Sequence, residues 1–549
     1  MSSDGIILDG YIDEPACLGV PPYISPFVRY AAGVLREHRL EPRYFTIDQL
    51  RQDPSLLRLF RDAKVLVMVA GTTVPGKYLG GRPATLTEIQ QTGSQLKGPL
   101  KILGGPVVFG YAGEGGRVAL RRSISGFDAV LKGPFAESLD ALLSGGEPVA
   151  EPDYHSVDRW SVLGSIIVRQ HPSFPHVMCE LETATGCPRT LRGGCSFCTE
   201  RFYGPPRYRS AAGIVSEVKA LYTRGALYFR LGRQPDILVY GTGADEEFPE
   251  PSPENLEELF RGIRKAAPHL KTLHIDNVSP ATIARHPEAA MEALRAIVRH
   301  HTAGDVAAIG METADPAVVR ANNLKAMPEE VMDAIHIINQ VGAAREGGIP
   351  HLLPGLNFVS GLAGETSDTY RLNMEFLREV QRRGWLVRRV NIRQLMLFED
   401  TPAFLDNTLG RYRREFQRFK EMVRREFDLP MLRRVFPVGT LLREVVIEEA
   451  GEVSFGRQLG SYPILVGVPL ELRRGEVIDV VVVDHGMRSI TALPVPVRVN
   501  RLPVSALPWI PNVGRRKAGS IAAVRPFSGL EAFRAVAGVT PIDGFISFD

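Results

Sequence analysis

Glu182-Thr-Ala-Thr-Gly-Cys187-Pro-Arg-Thr-Leu-Arg-Gly-Gly-Cys195-Ser-Phe-Cys198 is the stretch on which the reading of this chain turns. It places three thiols on one glycine-rich loop. Thiolate is the soft ligand that iron–sulfur chemistry needs, and three of them can hold three irons of a cubane 4Fe–4S cluster. The fourth iron then lacks a protein ligand and keeps an open coordination site. Gly186, Gly193 and Gly194 let the backbone pass close to such a cube, because glycine carries no Cβ. Zinc is the rival reading. A structural zinc site joins two Cys-x-x-Cys halves, or one such half with a histidine pair. Here there is one Cys195-x-x-Cys198 and no histidine close on its C-terminal side. Cys179, eight residues before Cys187, stands in an apolar strand pattern and reads as a buried thiol.

The rest of the composition is ordinary. The chain has 549 residues, 44% hydrophobic and 23% charged, with a formal net charge of +3. That excludes a disordered or fibrous chain and allows several domains. Five cysteines in such a length do not make a secreted disulfide scaffold. No apolar run reaches the roughly 18 residues of a membrane span, and the acidic start MSSDGIILDGYIDEP is unlike a signal peptide. A cytoplasmic location without a membrane partner is expected.

Working outward from the cysteine loop, an α/β fold class is expected. Residues 1–150 alternate strands with helices. Ala63–Ala70 (AKVLVMVA) is apolar throughout, as in a strand buried on both faces. Strand, glycine turn and helix in succession predict a doubly wound parallel sheet, with Thr72, Thr73 and Gly76–Gly81 as candidate pocket walls. Residues 151–175 read as a linker with a helical piece. Residues 176–432 predict six strand–helix repeats, a partial (β/α)6 barrel, with strands His176–Glu182, Ala226–Arg230, Thr272–Ile275, Val306–Ile309, Leu356–Ser360 and Arg389–Leu397. Residues 411–434 carry nine Arg or Lys against four acids. Residues 433–502 switch to short strands, predicting a small β-barrel, and 503–549 predict a helical hairpin.

The cysteine loop resembles the radical S-adenosylmethionine (radical SAM) superfamily. Cys195-x-x-Cys198 has that family's spacing and Phe197 its aromatic, whereas seven residues rather than three separate Cys187 from Cys195. The resemblance continues through Phe229-Arg-Leu-Gly232-Arg233-Gln234, Ile309-Gly-Met-Glu312-Thr313 and the loop around Asn357 in Leu353–Thr366. It implies a 4Fe–4S cluster on Cys187, Cys195 and Cys198, with SAM chelated by the open iron and cleaved by one electron to a 5′-deoxyadenosyl radical. It further implies that Phe197, Gly232, Arg233, Glu312 and Asn357 lie at the cofactors. Arg230 and Arg233 are candidate anion binders. No residue is singled out as catalytic. An electron donor such as ferredoxin or flavodoxin is implied as a partner.

By position, residues 1–150 resemble the cobalamin-binding domain that precedes many such barrels. The Asp-x-His-x-x-Gly signature is absent, so cobalamin remains an optional cofactor. With only Cys17 in this region, a second cluster is not expected. Residues 433–502 resemble a TRAM domain, implying nucleic-acid contacts by Arg457, Tyr462 and Arg488. The tail resembles a helix–hairpin–helix, implying phosphate contacts by Asn512, Gly514, Arg515, Arg516 and Lys517. Together these resemblances imply an enzyme that modifies RNA, foremost tRNA, by transfer of a methyl or sulfur-containing group. The alternatives are a cobalamin-dependent methyltransferase acting on a protein or small molecule, and a non-catalytic, zinc-containing nucleic-acid binder.

Overall fold

The computed structural model describes residues 4–14, 17–71, 80–113, 115–121 and 124–549. Thr72, Thr73 and residues 76–79 of the candidate pocket wall lie outside these. Strands β1 (Asp4–Asp9), β2 (Glu41–Thr46), β3 (Val65–Val69), β4 (Leu100–Gly104) and β5 (Ala129–Val130) pair in the order β2-β1-β3-β4-β5, all parallel. The order reverses between β1 and β3, the crevice where doubly wound sheets usually take ligands. Here the two loops bond across it: the Gly10 N–H donates to the Val69 carbonyl at 2.7 Å and the Gly71 N–H to that of Tyr11 at 3.1 Å.

Residues 151–175 are not a linker. Helix Tyr154–Gly164 lies in the core against helix Pro26–Glu37. A Cβ on Gly33 would sit 2.0 Å from the Trp160 carbonyl oxygen, and one on Gly164 would sit 1.7 Å from that of Arg29. Only glycine permits so close a crossing. Val157 and Trp160 give the helix an apolar face, and both are buried.

The six predicted barrel strands are all present: β6 (Met178–Glu182), β7 (Tyr228–Gly232), β8 (Thr272–Ile275), β9 (Asp305–Glu312), β10 (Leu352–Ser360) and β11 (Arg389–Gln394). β6, β7 and β8 pair in parallel, as do β9, β10 and β11, and an Asn277–Ala308 bridge joins the two sets. Tyr23–Ile24 extends the free edge of β6, tying the first domain to the arc. A buried ion triad seals the same joint. Glu217 pairs with Arg29 at 2.8 Å and Arg209 at 2.7 Å, with all three side chains fully enclosed. The remaining Arg29 donors reach the carbonyls of Ile24, Ser25 and Glu180.

Strands β12 (Leu441–Glu449), β13 (Ser454–Arg457), β14 (Leu465–Val468), β15 (Val477–His485) and β16 (Ser489–Pro494) form a closed barrel. The segment between β13 and β14 leaves it and enters the six-strand arc. Leu459 and Gly460 carbonyls accept from Thr272 Oγ1 (2.8 Å) and Tyr23 OH (2.6 Å). The Ser461 N–H donates to His274 Nδ1 (2.8 Å), Ser461 Oγ to the Ile275 carbonyl (2.9 Å), and Tyr462 OH to Asp276 Oδ1 (2.7 Å). The small barrel is thus part of the wall of the larger one.

In the tail, Asn512 (φ 67°) and Gly514 (φ 59°) form a left-handed turn. The element before that turn is a 3-10 turn, Leu507–Trp509, rather than an α-helix, because Pro508 and Pro511 leave no room for helical hydrogen bonding. Helices Gly514–Val524 and Leu530–Ala537 follow. No helix among the described residues is long and apolar enough to cross a membrane.

Candidate functional site: a cavity shared by three domains

The cysteine loop is held from a distance. Asn322 Oδ1 accepts from Ser196 Oγ at 2.8 Å, and the Asn322 carbonyl accepts from the Ser196 N–H at 3.0 Å. Asn323 Nδ2 donates to the carbonyls of Gly194 (2.8 Å) and Arg192 (3.1 Å), while Arg189 donates to the Asn323 carbonyl at 2.8 Å. Gly193 (φ 83°) and Gly194 (φ 69°) make a left-handed bend, open to glycine because it carries no Cβ. Neither asparagine carries a motif that would have announced it.

Cys187, Cys195 and Cys198 all line one cavity of about 1090 Å³. Residues 20–23 and Asp13, Leu18 and Gly115 roof it from the first domain, and Arg457 and residues 462–464 close it from the small barrel. Burial pushes the Cys187 thiol up to about 12, and burial raises Cys195 and Cys198 as well. Three free thiols on one wall suit a cubane, whose irons sit at separate corners. Among the described residues no three His, Cys, Asp or Glu side chains gather closely enough to hold a single metal ion.

Phe197, Glu312 and Asn357 line the same cavity. Glu312 is aimed there by a bulge: the β9–β10 register slips between Gly310 and Glu312, and Glu312 takes φ 57°. Burial lifts its carboxyl to about 7, against the opposing pull of Lys325 and Arg393. A carboxyl raised in this way is stabilising when protonated, and that contribution disappears as pH rises from its ordinary 4.5 through 7. The thermal midpoint of Glu312→Gln should therefore gain on that of the parent by a few degrees between pH 5 and pH 8. Parallel midpoints across that range would show that Glu312 is ionised throughout.

Gly232 and Arg233 do not reach the cavity wall. Gly232 makes room for a carboxylate, Glu180 Oε1, which would lie 1.8 Å from an added Cβ. Arg233 pairs with Glu182 at 3.4 Å and Glu200 at 3.6 Å and covers the Tyr203 ring at 4.3 Å. Arg230 likewise is held by Glu180 (2.5 Å) and Asp276, fully enclosed. Both arginines are ion-paired, since an interior guanidinium needs a compensating charge.

The nucleic-acid candidates divide. Arg457 is clamped by both oxygens of Glu448 at 2.7 and 2.8 Å. Tyr462 points into the arc. Arg488 is half-exposed at the cavity mouth with Lys420 and Arg424 of the basic segment. Arg515 and Arg516 are exposed beside the open turn at Gly514, where an added Cβ would meet nothing within 4 Å. Lys517 instead folds back, bonding the Ala537 carbonyl at 2.7 Å and the Asn512 carbonyl at 3.1 Å. Sequence reading passed over Arg388, Arg389 and Arg393 on and beside β11. The alternation of Arg389, Asn391 and Arg393 in a strand otherwise read as apolar is the signal that could have found them.

No family model matches the chain. Its fold is that of a radical SAM methyltransferase, TsrM from Kitasatospora setae, at TM-score 0.53 and 16% identity over 73% of this chain and 75% of that one. That structure holds tryptophan and a SAM analogue, and a second structure of TsrM, at TM-score 0.50, holds cobalamin and a [4Fe-4S] cluster. An uncharacterised protein of Archaeoglobus fulgidus is 42% identical over 96% of this chain and 98% of its own length. Another, from Methanocaldococcus jannaschii, is 43% identical over 89% and 93%. The chain belongs to the family of these two archaeal proteins.

Proposed function

We propose that the protein is a radical SAM enzyme that transfers a methyl or sulfur-containing group to RNA, foremost tRNA. The observation that carries the reading is that three free thiols, polar groups suited to a cofactor, and a basic mouth all line one cavity. Cys187, Cys195 and Cys198 would hold the cluster. One-electron cleavage of SAM is the chemistry that cluster and SAM supply together. The chain's own residues provide the setting. Phe197 packs behind the cluster loop, Glu312 offers a carboxyl whose charge responds to a bound cation, and the roof at residues 20–23 excludes water. Lys420, Arg424 and Arg488 draw a polyanion to the mouth, a contact that weakens with salt, and Arg515 and Arg516 add a second basic site.

The fold shared with TsrM favours a second reading, methyl transfer through cobalamin to a small molecule or protein. The described first-domain residues on the cavity wall include no imidazole, so cobalt there would take no histidine ligand from them.

Protein reconstituted anaerobically with iron and sulfide, then given SAM and a reductant, should release 5′-deoxyadenosine. Nucleosides from cells lacking the gene should be missing one modification by mass spectrometry. Unchanged nucleosides together with cobalamin copurifying would favour the second reading, and absence of 5′-deoxyadenosine would sink both.

A further inference from the structure

The cavity is polarised. Near the thiols its charged groups are mixed: Arg189 and Lys325 stand with Glu200 and Glu312. At the far end Arg389, Arg393, Lys420, Arg424 and Arg488 outnumber the acids near them, Asp428 and Asp13 on the lining and Asp276 at the Tyr462 hydroxyl. Asp428 is itself weakened, since burial lifts it to about 7 despite Arg488, Arg424 and Arg389.

Arg389 is the centre of this end. Its guanidinium lies 3.9 Å from the centroid of the Tyr462 ring, which is itself anchored through its hydroxyl to Asp276. Its hydrogen bond to Asn357 is a long one, 3.4 Å from Nη2 to Oδ1. Among the described residues no carboxylate comes within ion-pair distance of it. Burial is the largest cause taking its pKa down to about 10, and the repulsion of Arg393 and Arg488 adds to it against the opposing pull of Tyr462 and Asp276. The contrast with Arg230 is direct. Arg230 touches the same tyrosine ring at 5.4 Å yet is flanked by two acids. A guanidinium oriented by stacking and left with most of its five donors unused is shaped for a bidentate oxyanion. The surrounding positive charge favours a phosphate over a singly charged carboxylate.

We infer that Arg389, stacked on Tyr462 and flanked by Arg393 and Arg488, is a preformed receptor for a phosphate group of the substrate. This deepens the reading of the cavity as a substrate pocket and rests on it. SAM is a poorer occupant. Chelation by a cluster on the three thiols would keep its amino and carboxyl groups at the thiol end, whose cationic neighbours are Arg189 and Lys325.

The test needs neither cluster nor electron, so its outcome is separate from that of SAM cleavage. The full chain is titrated calorimetrically with nucleoside 5′-monophosphates, the matching nucleosides, inorganic pyrophosphate and short RNA oligonucleotides. Monophosphates should bind at least tenfold tighter than nucleosides. Arg389→Gln should weaken them roughly 10- to 100-fold, the range of a lost charge-assisted hydrogen bond. Arg389→Lys, which keeps the charge and loses the fork, should fall between. A gain for oligonucleotides over monophosphates would make RNA the source of the phosphate, and no gain would make it a free phosphorylated molecule. Equal binding of nucleoside and nucleotide would overturn the inference. So would an Arg389→Gln protein, with an unchanged melting curve, that keeps the parent's nucleotide affinity.

Discussion

Cys198→Ala is expected to yield a folded protein that retains no stable cluster after reconstitution and forms no 5′-deoxyadenosine. Two thiolates remain, and they can ligate only two corners of a cubane. The loop itself should persist, because Asn322 and Asn323 hold it through Ser196, Arg192 and Gly194 rather than through Cys198. Cys179→Ala is the control. That thiol is fully buried in β6, and burial pushes it up to about 12. Its removal should leave the cluster intact and lower stability by about 1 kcal/mol. Iron and acid-labile sulfide analysis decides the matter: full iron in Cys198→Ala, or loss in Cys179→Ala, would reassign the ligands.

The second large effect is on stability. Glu217→Ala strands Arg29 as a buried cation without its ion-pair partner, while Arg209 keeps only Asp158 at 2.7 Å. Breaking a buried ion network from one side costs about 3–5 kcal/mol. For a cooperative unit of roughly 200 residues, the scale of the first domain, that is a drop in melting midpoint on the order of 10 °C. The loss should be largest in the transition that separates the first domain from the arc, since Arg29 belongs to one and Glu217 to the other. In the parent, burial works to raise the Glu217 carboxyl, but Arg29 and Arg209 outweigh it and hold it below the usual range. Its contribution is therefore complete above about pH 4.5 and fades as pH falls further. A melting curve for Glu217→Ala within a degree or two of the parent's at neutral pH would mean that the triad is compensated elsewhere.

Much of this was legible from residues alone. The apolar run Ala63–Ala70 announced β3, and the six barrel strands stand where β-rich segments alternated with helical ones, because strand and helix periodicities are local properties. The thiol loop was legible because ligand chemistry demands particular residue types at short spacing. Residues 151–175 misled because a short segment rich in Pro, Asp and Ser looks like a linker unless the glycines facing Trp160 and Arg29 are known. Arg230 and Arg233 misled for a related reason: a charged residue in an apolar strand signals an interior charge but not what neutralises it.

The partners are what only the tertiary structure decided. Ser196 and Asn322 are 126 positions apart, and Tyr462 and Asp276 are 186 apart. No periodicity or motif spans such distances; chain closure in three dimensions brings the groups together. The sequence by itself determined three thiols on one loop, a parallel strand arc and a small barrel behind it. The tertiary structure decided that the small barrel inserts Tyr462 into that arc, that this ring orients Arg389, and that the thiols and a basic mouth share one cavity. Local chemistry dictates which elements form, whereas the fit of apolar faces and the pairing of buried charge dictate how they meet.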